Sequence, residues 1–100
     1  MRRKFAVKLS RKAAGQLGEL EPGTALDIAK RITILEVAPL PAGKLRIKKL
    51  KGFTPPLYRL RAGRFRVLYR IVSRDEVVVL RVVARRDLER ELKKLLDTGS

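Results

Sequence analysis

Arg59 and Arg61, then Arg64 and Arg66, then Arg70 stand at two-residue spacings on either side of Gly63. In extended chain that period sends side chains to one side, so the pattern describes a row of guanidinium groups on a single surface. Guanidinium groups grip phosphate through paired hydrogen bonds, stack on bases, and stabilise negative charge that develops on phosphoryl oxygens. They make poor general bases, because they are effectively never deprotonated. Neither His nor Cys occurs in the chain. Their absence removes the commonest general base, thiol nucleophiles, disulfides and the usual zinc sites, so neither a metal nor a cofactor is expected.

The charge balance points the same way. Against 10 Asp+Glu stand 25 Lys+Arg, a formal net charge of +15 in 100 residues. Solubility of a small domain requires much less, and such charge calls for an anionic partner. No acidic residue lies between Glu36 and Asp75, whereas Lys44, Arg46, Lys48, Lys49, Lys51 and Arg74 join the five arginines there. Lys48, Lys49, Arg64, Arg70 and Arg81 are therefore candidates for binding RNA backbone. A thermostable protein with no such partner would instead mix both signs in networks. No apolar run approaches the roughly 20 residues of a membrane span, and the charged start is unlike a signal peptide. The expectation is a cytoplasmic protein without membrane contact.

The elements that carry these residues can be read from periodicity. With 45% hydrophobic residues, the chain supports one domain over 1–100. Phe5, Val7 and Leu9 alternate in a first strand over 4–9, and Ser10 is placed to cap a short helix that runs to about Leu17 before Gly18. Pro22 opens an amphipathic helix of about 22–37, with Ala25, Ile28, Ala29, Ile32 and Leu35 at helical spacing. Pro39, Pro41 and Gly43 open a loop, and the basic stretch 44–51 reads as a continuation of it. From Leu57 the period becomes two. Tyr58 and Leu60, then Phe65, Val67, Tyr69 and Ile71, then Val78, Leu80 and Val82 face inward from three strands, with turns at Ala62-Gly63 and Arg74-Asp75. Leu88, Leu92, Leu95 and Leu96 form the stripe of a last helix over about 86–97. The fold class is α+β. An antiparallel sheet of the N-terminal strand and a C-terminal three-strand meander carries two helices after strand 1 and a C-terminal helix, packed on one face with the other left open.

A two-residue loop at Ala62-Gly63 pairs Arg61 with Arg64, Leu60 with Phe65, Arg59 with Arg66 and Tyr58 with Val67. Arg59, Arg61, Arg64, Arg66 and Arg70 then share the open face, and the Arg74-Asp75 turn adds Arg81 and Arg85. Like charges opposite one another on a sheet are destabilising, so stability alone does not select this row. A bound polyanion relieves the repulsion, and single-stranded RNA suits it better than duplex DNA, for which no recognition helix is visible.

Leu50-Lys51-Gly52, Leu57-Tyr58-Arg59-Leu60-Arg61, Gly63-Arg64-Phe65-Arg66-Val67-Leu68-Tyr69 and Val79 to Leu88 together resemble the RelE/ParE toxin superfamily, over nearly the whole chain and in element order. The most specific piece is the strand that begins Gly63-Arg64-Phe65-Arg66. The resemblance implies a microbial-ribonuclease-like fold and a toxin of a toxin–antitoxin system. RelE-like members enter the ribosomal decoding site and cut mRNA; ParE-like members poison DNA gyrase. It also implies a cognate acidic antitoxin, a toxin–antitoxin hetero-oligomer, and the ribosome and mRNA as partners. The family's basic cleavage positions fall on Arg59, Arg61, Arg66 and Arg85, with Arg86 an alternative for the last.

This chain has Ala84 and Glu89 where many RelE-like toxins have His and Tyr. Cleavage by the RNA's own 2′-OH needs a base, positive charge on the non-bridging oxygens and an acid for the leaving 5′ oxygen. Arginine fills the second role; for the first, Lys51 and Glu89 are the candidates. The leucine stripe Leu88, Leu92, Leu95 and Leu96 is where an antitoxin would bind or displace the last helix, while in the free protein the same stripe docks that helix on the core. An RNA-binding module without cleavage is the third reading.

Overall fold

The computed structural model describes residues 4–41 and 46–98, with the side chain of Thr98 not described. Gly43 and Lys44, assigned above to the basic loop, lie outside these residues. The described residues form five strands, β1 (Ala6–Leu9), β2 (Ile47–Leu50), β3 (Leu57–Ala62), β4 (Phe65–Ser73) and β5 (Glu76–Ala84), with helices α1 (Arg11–Gly18), α2 (Pro22–Ile32) and α3 (Leu88–Thr98). They form a single sheet in the order β1-β5-β4-β3-β2.

The expected α+β class holds, with three differences of arrangement. The N-terminal strand lies parallel to β5, not antiparallel, because the chain crosses from β1 through both helices before returning. Part of the expected basic loop, Ile47–Leu50, is an edge strand antiparallel to β3. It buries Ile47 and exposes Lys48 and Lys49; the basic and aliphatic residues of 44–51 alternate, but Gly and Pro on both sides favour a loop. The third difference concerns the sheet's two faces. α1 and α2 pack Ala13, Ile28 and Ile32 on Tyr58, Leu60, Val67, Tyr69, Val77, Val79 and Val82. α3 crosses the opposite face, where Leu95 joins buried Leu57 and Leu68, with Leu50, Phe53, Leu80, Leu88 and Leu92 around them. The face expected to be open is therefore half covered by the terminal helix, whose apolar stripe needs a dry partner and finds these leucines.

Local signals explain most boundaries. Ser10 caps α1 by accepting from the Ala13 N–H at 3.0 Å, and its hydroxyl donates to the Leu80 carbonyl at 2.9 Å, tying the helix start to β5. The helix expected over 22–37 is α-helical to Ile32 and then tightens into a 3-10 turn over Thr33–Glu36. Tyr69 is fully buried; its hydroxyl donates to the Pro39 carbonyl at 2.6 Å, and its ring stacks on Tyr58 with centroids 5.6 Å apart. Burial, then the neighbouring Tyr58, pushes the Tyr69 phenol well above its ordinary range.

A candidate nucleic-acid interface at the hairpin end

Where the β3–β4 hairpin turns decides how the arginines meet. The loop is Gly63-Arg64, one residue later than expected, so Ala62 pairs with Phe65, Arg61 with Arg66, Leu60 with Val67 and Arg59 with Leu68. Ala62 is 2% exposed and belongs inside, and Gly63 takes φ +61°, the left-handed first position that a glycine-first hairpin loop requires. The pairing sum moves by two, so parity survives: Arg59, Arg61 and Arg66 keep their common face, while Arg64 leaves the strand for the turn. One pair of like charges lies opposite, Arg61 and Arg66, in place of two.

The turn at Arg74-Asp75 forms as expected, with Ser73 paired to Glu76. Irregularities between Ile71 and Ser73 and between Leu68 and Tyr69 then shift the β4–β5 register twice, in opposite senses. Between them the sides exchange. Val77 and Val79 go to the α1–α2 core in place of Val78 and Leu80, and Leu80 joins the α3 side. Beyond the second shift the sides return, so Arg81 and Arg85 keep the parity expected of them.

Arg66 is the centre of the cluster. It is 4% exposed, and its Nη1 donates to the carbonyls of Gly63 at 2.9 Å and Phe65 at 2.8 Å, which clamps the hairpin turn. Its pKa is lowered first by burial and then by the charges of Arg61, Arg59 and Arg85, so these four arginines share one electrostatic site. Arg59 is lowered too, by burial and then by Arg61, and its buried Nε makes no hydrogen bond among the described residues. Arg59 and Arg66 remain cations, since lowering from so high a value leaves a guanidinium charged at neutral pH. Arg85 is anchored by its backbone N–H, which donates to the Arg64 carbonyl at 2.7 Å. Positive charge is concentrated on a partly dry surface, with no acidic side chain bonded to any of the four among the described residues, an arrangement with the chemistry to attract an anion.

The other expected residues separate. Lys48 pairs with Arg59 and extends the cationic face onto β2, whereas Lys49 pairs with Tyr58 and takes the opposite parity. Lys51 is exposed in the β2–β3 turn, at the far end of β3 from the hairpin loop. Arg81 is bound by Glu91 of α3 at 2.9 Å and donates through Nη1 to the Leu80 carbonyl at 2.7 Å, so its charge is already answered. Arg70, with a buried Nε that has no partner in the protein, lines a 240 Å³ cleft with Phe53, Leu95 and Leu96, across the Leu57–Leu68 packing from the cluster. Arg86 and Glu89 are exposed on either side of the start of α3. Leu88 and Leu92 are half-buried, Leu95 is buried and Leu96 is exposed. One cation was missed. The Arg46 carbonyl accepts the Arg61 N–H at 2.9 Å, continuing the β2–β3 register so that Arg46 sits beside Arg61. The alternation of Arg46, Ile47 and Lys48 was its signal.

Residues 7–95 match the family described as the ParE toxin of the type II toxin–antitoxin system, parDE. The chain belongs to the RelE/ParE toxin family. The toxin is 33% identical over 84 residues to the Methanocaldococcus jannaschii protein named RelE1, covering 84% of this chain and 92% of that one. Among solved structures it resembles the archaeal RelE–RelB complex of Pyrococcus horikoshii OT3, with TM-score 0.68, 28% identity and coverage of 82% and 96%. The toxin–antitoxin complex RelBE2 of Mycobacterium tuberculosis gives TM-score 0.70, 27% identity and coverage of 82% and 99%. The fold expected from the resemblance, a RelE-like α+β domain, is thus the one observed. No helix among the described residues is long and apolar enough to cross a membrane.

Proposed function

We propose that this toxin is an endoribonuclease that cleaves mRNA on the ribosome, with Arg59, Arg61, Arg66 and Arg85 holding the scissile phosphate. The observation that carries the reading is that Arg59, Arg61 and the buried Arg66 share one face at the hairpin end, with Arg85 tied to the hairpin loop by its backbone N–H. In the reaction, the 2′ oxygen attacks phosphorus, the bond to the 5′ oxygen breaks, and charge builds on the non-bridging oxygens, where fixed guanidinium groups act most strongly. The 2′-OH proton needs an acceptor, and the leaving 5′ oxygen takes its proton from water. Lys51 stands at the far end of β3, whereas Glu89 opens α3 just beyond Arg85–Asp87, so Glu89 takes that role in this reading. Ribosome-held mRNA supplies the alignment that the toxin's sparse proton-transfer groups do not. An acidic antitoxin segment, covering the arginines or competing with α3 for the leucine-lined face, holds the activity off.

The test is mapping of mRNA ends on translating ribosomes with purified toxin. Wild type is expected to cut, and Arg66→Ala and Arg85→Ala each to lose about a hundredfold in rate. Intact mRNA with wild type, together with unchanged growth arrest by both variants, overturns the reading. A second reading follows from the match to the ParE toxin family and from Ala84 and Glu89 in place of His and Tyr. Trapped DNA-cleavage complexes with purified gyrase would establish that reading instead.

A further inference from the structure

Beside the arginine cluster, on the other side of the hairpin turn, lies a cavity of about 670 Å³ whose lining includes Glu19, Glu21, Arg64, Phe65, Arg85 and Arg86. Its size is in the range of small-molecule sites. Two carboxylates from the α1–α2 connection and three arginines from the hairpin loop and the end of β5 line one space. None of these residues forms a salt bridge within 4.0 Å with another. Opposite charges that converge on a cavity and remain apart leave room for a ligand that offers donors to one side and acceptors to the other.

The cavity borders the arginine cluster through Arg85 and the hairpin loop. Arg85 lines it and also bears on Arg66, and Arg66 in turn holds the carbonyls of two lining residues, Gly63 and Phe65. Carboxylates are out of place on a surface that binds phosphates, since they repel them. They suit a base edge, where Glu accepts hydrogen bonds from ring and exocyclic N–H groups. Phe65, half-buried against the core, supplies an aromatic surface of the kind on which unstacked bases settle.

We propose that this cavity is a nucleobase pocket that receives the base next to the phosphate held by the arginine cluster, and that it selects guanine. Guanine presents N1–H and N2–H donors on one edge for a carboxylate and O6 and N7 acceptors on another for a guanidinium; uracil lacks the exocyclic donor and N7. The inference rests on the RNA-directed reading above and adds a sequence preference to it.

Binding of non-cleavable 2′-O-methyl pentaribonucleotides that differ only in the central base, followed by fluorescence anisotropy with the full chain, tests the pocket. The guanine oligonucleotide is expected to bind about tenfold tighter than the uracil one, the low end for one bidentate base contact. In the Glu19→Gln, Glu21→Gln double variant overall affinity rises, because repulsion of phosphate is removed, but the guanine-to-uracil ratio falls to near one. Both positions are exposed and a thermal melt checks the fold. Equal binding of all four oligonucleotides by wild type, or an unchanged ratio in the double variant, overturns the pocket and leaves the RNA reading standing. Failure of every oligonucleotide to bind counts against both.

Discussion

Arg81 Nε and Glu91 Oε1 lie 2.9 Å apart, joining β5 to α3 across the leucine-lined face. Both side chains are largely buried, at 19% and 10% exposed, and Lys94 adds a looser contact to the same carboxylate at 3.9 Å. The pair therefore sets where the terminal helix lies as well as removing Arg81 from the pool of free cations.

Breaking that pair should destabilise the toxin. Glu91→Gln leaves a half-buried guanidinium without its counter-charge, and we expect a loss of about 2 kcal/mol in chemical denaturation. Replacing both residues, Arg81→Met with Glu91→Leu, should recover most of it. A double variant no more stable than Glu91→Gln alone would show that the pair's partners, and not its buried charge, matter.

Arg61 and Arg66 face each other directly, and this like-charge contact costs stability. Arg61→Gln should raise stability by about 0.5 kcal/mol while it weakens RNA binding. Opposite signs in the two measurements separate a functional arginine from a structural one; loss of both together would argue that Arg61 supports the fold.

The cluster also predicts a strong salt dependence. For single-stranded RNA, each phosphate neutralised contributes about 0.7 to the slope of log affinity against log salt. Arg85→Ala should therefore lower the slope by about that amount, whereas Lys12→Ala, on exposed α1, should leave it alone. Equal effects from the two variants would mean that diffuse net charge dominates.

Tyr69 couples stability to alkaline pH. Its folded pKa is raised above the unfolded value of about 10, so the stabilisation is complete below about pH 10 and is lost as pH rises toward the folded value. Denaturation midpoints should fall above pH 10, and Tyr69→Phe should flatten that decline while losing about 1 kcal/mol at neutral pH with the bond to Pro39. An equal alkaline decline in the variant would assign it to other groups, such as Lys8, whose pKa is raised by its hydrogen bond to Glu76 and then by that charge.

By itself the sequence determined the order of every strand and helix but β2, the Ser10 cap, the arginine period and the parity that sets Arg59, Arg61, Arg66, Arg81 and Arg85 on one face. Those features depend on neighbours a few residues apart, through capping geometry and strand alternation. Only the tertiary structure decided which arginines act together. The hairpin loop at Gly63-Arg64 placed Arg61 opposite Arg66 because Ala62 is needed in the core. α3 settled on the face expected to be open because its leucines meet Leu57 and Leu68 there, and in doing so it bound Arg81 and set Arg70 apart. The parallel β1–β5 pair, the Arg46–Arg61 neighbours and the charged cavity at Phe65 likewise join segments far apart in the chain. Such contacts follow from packing free energy summed over the whole domain, and no local pattern of residue types encodes them.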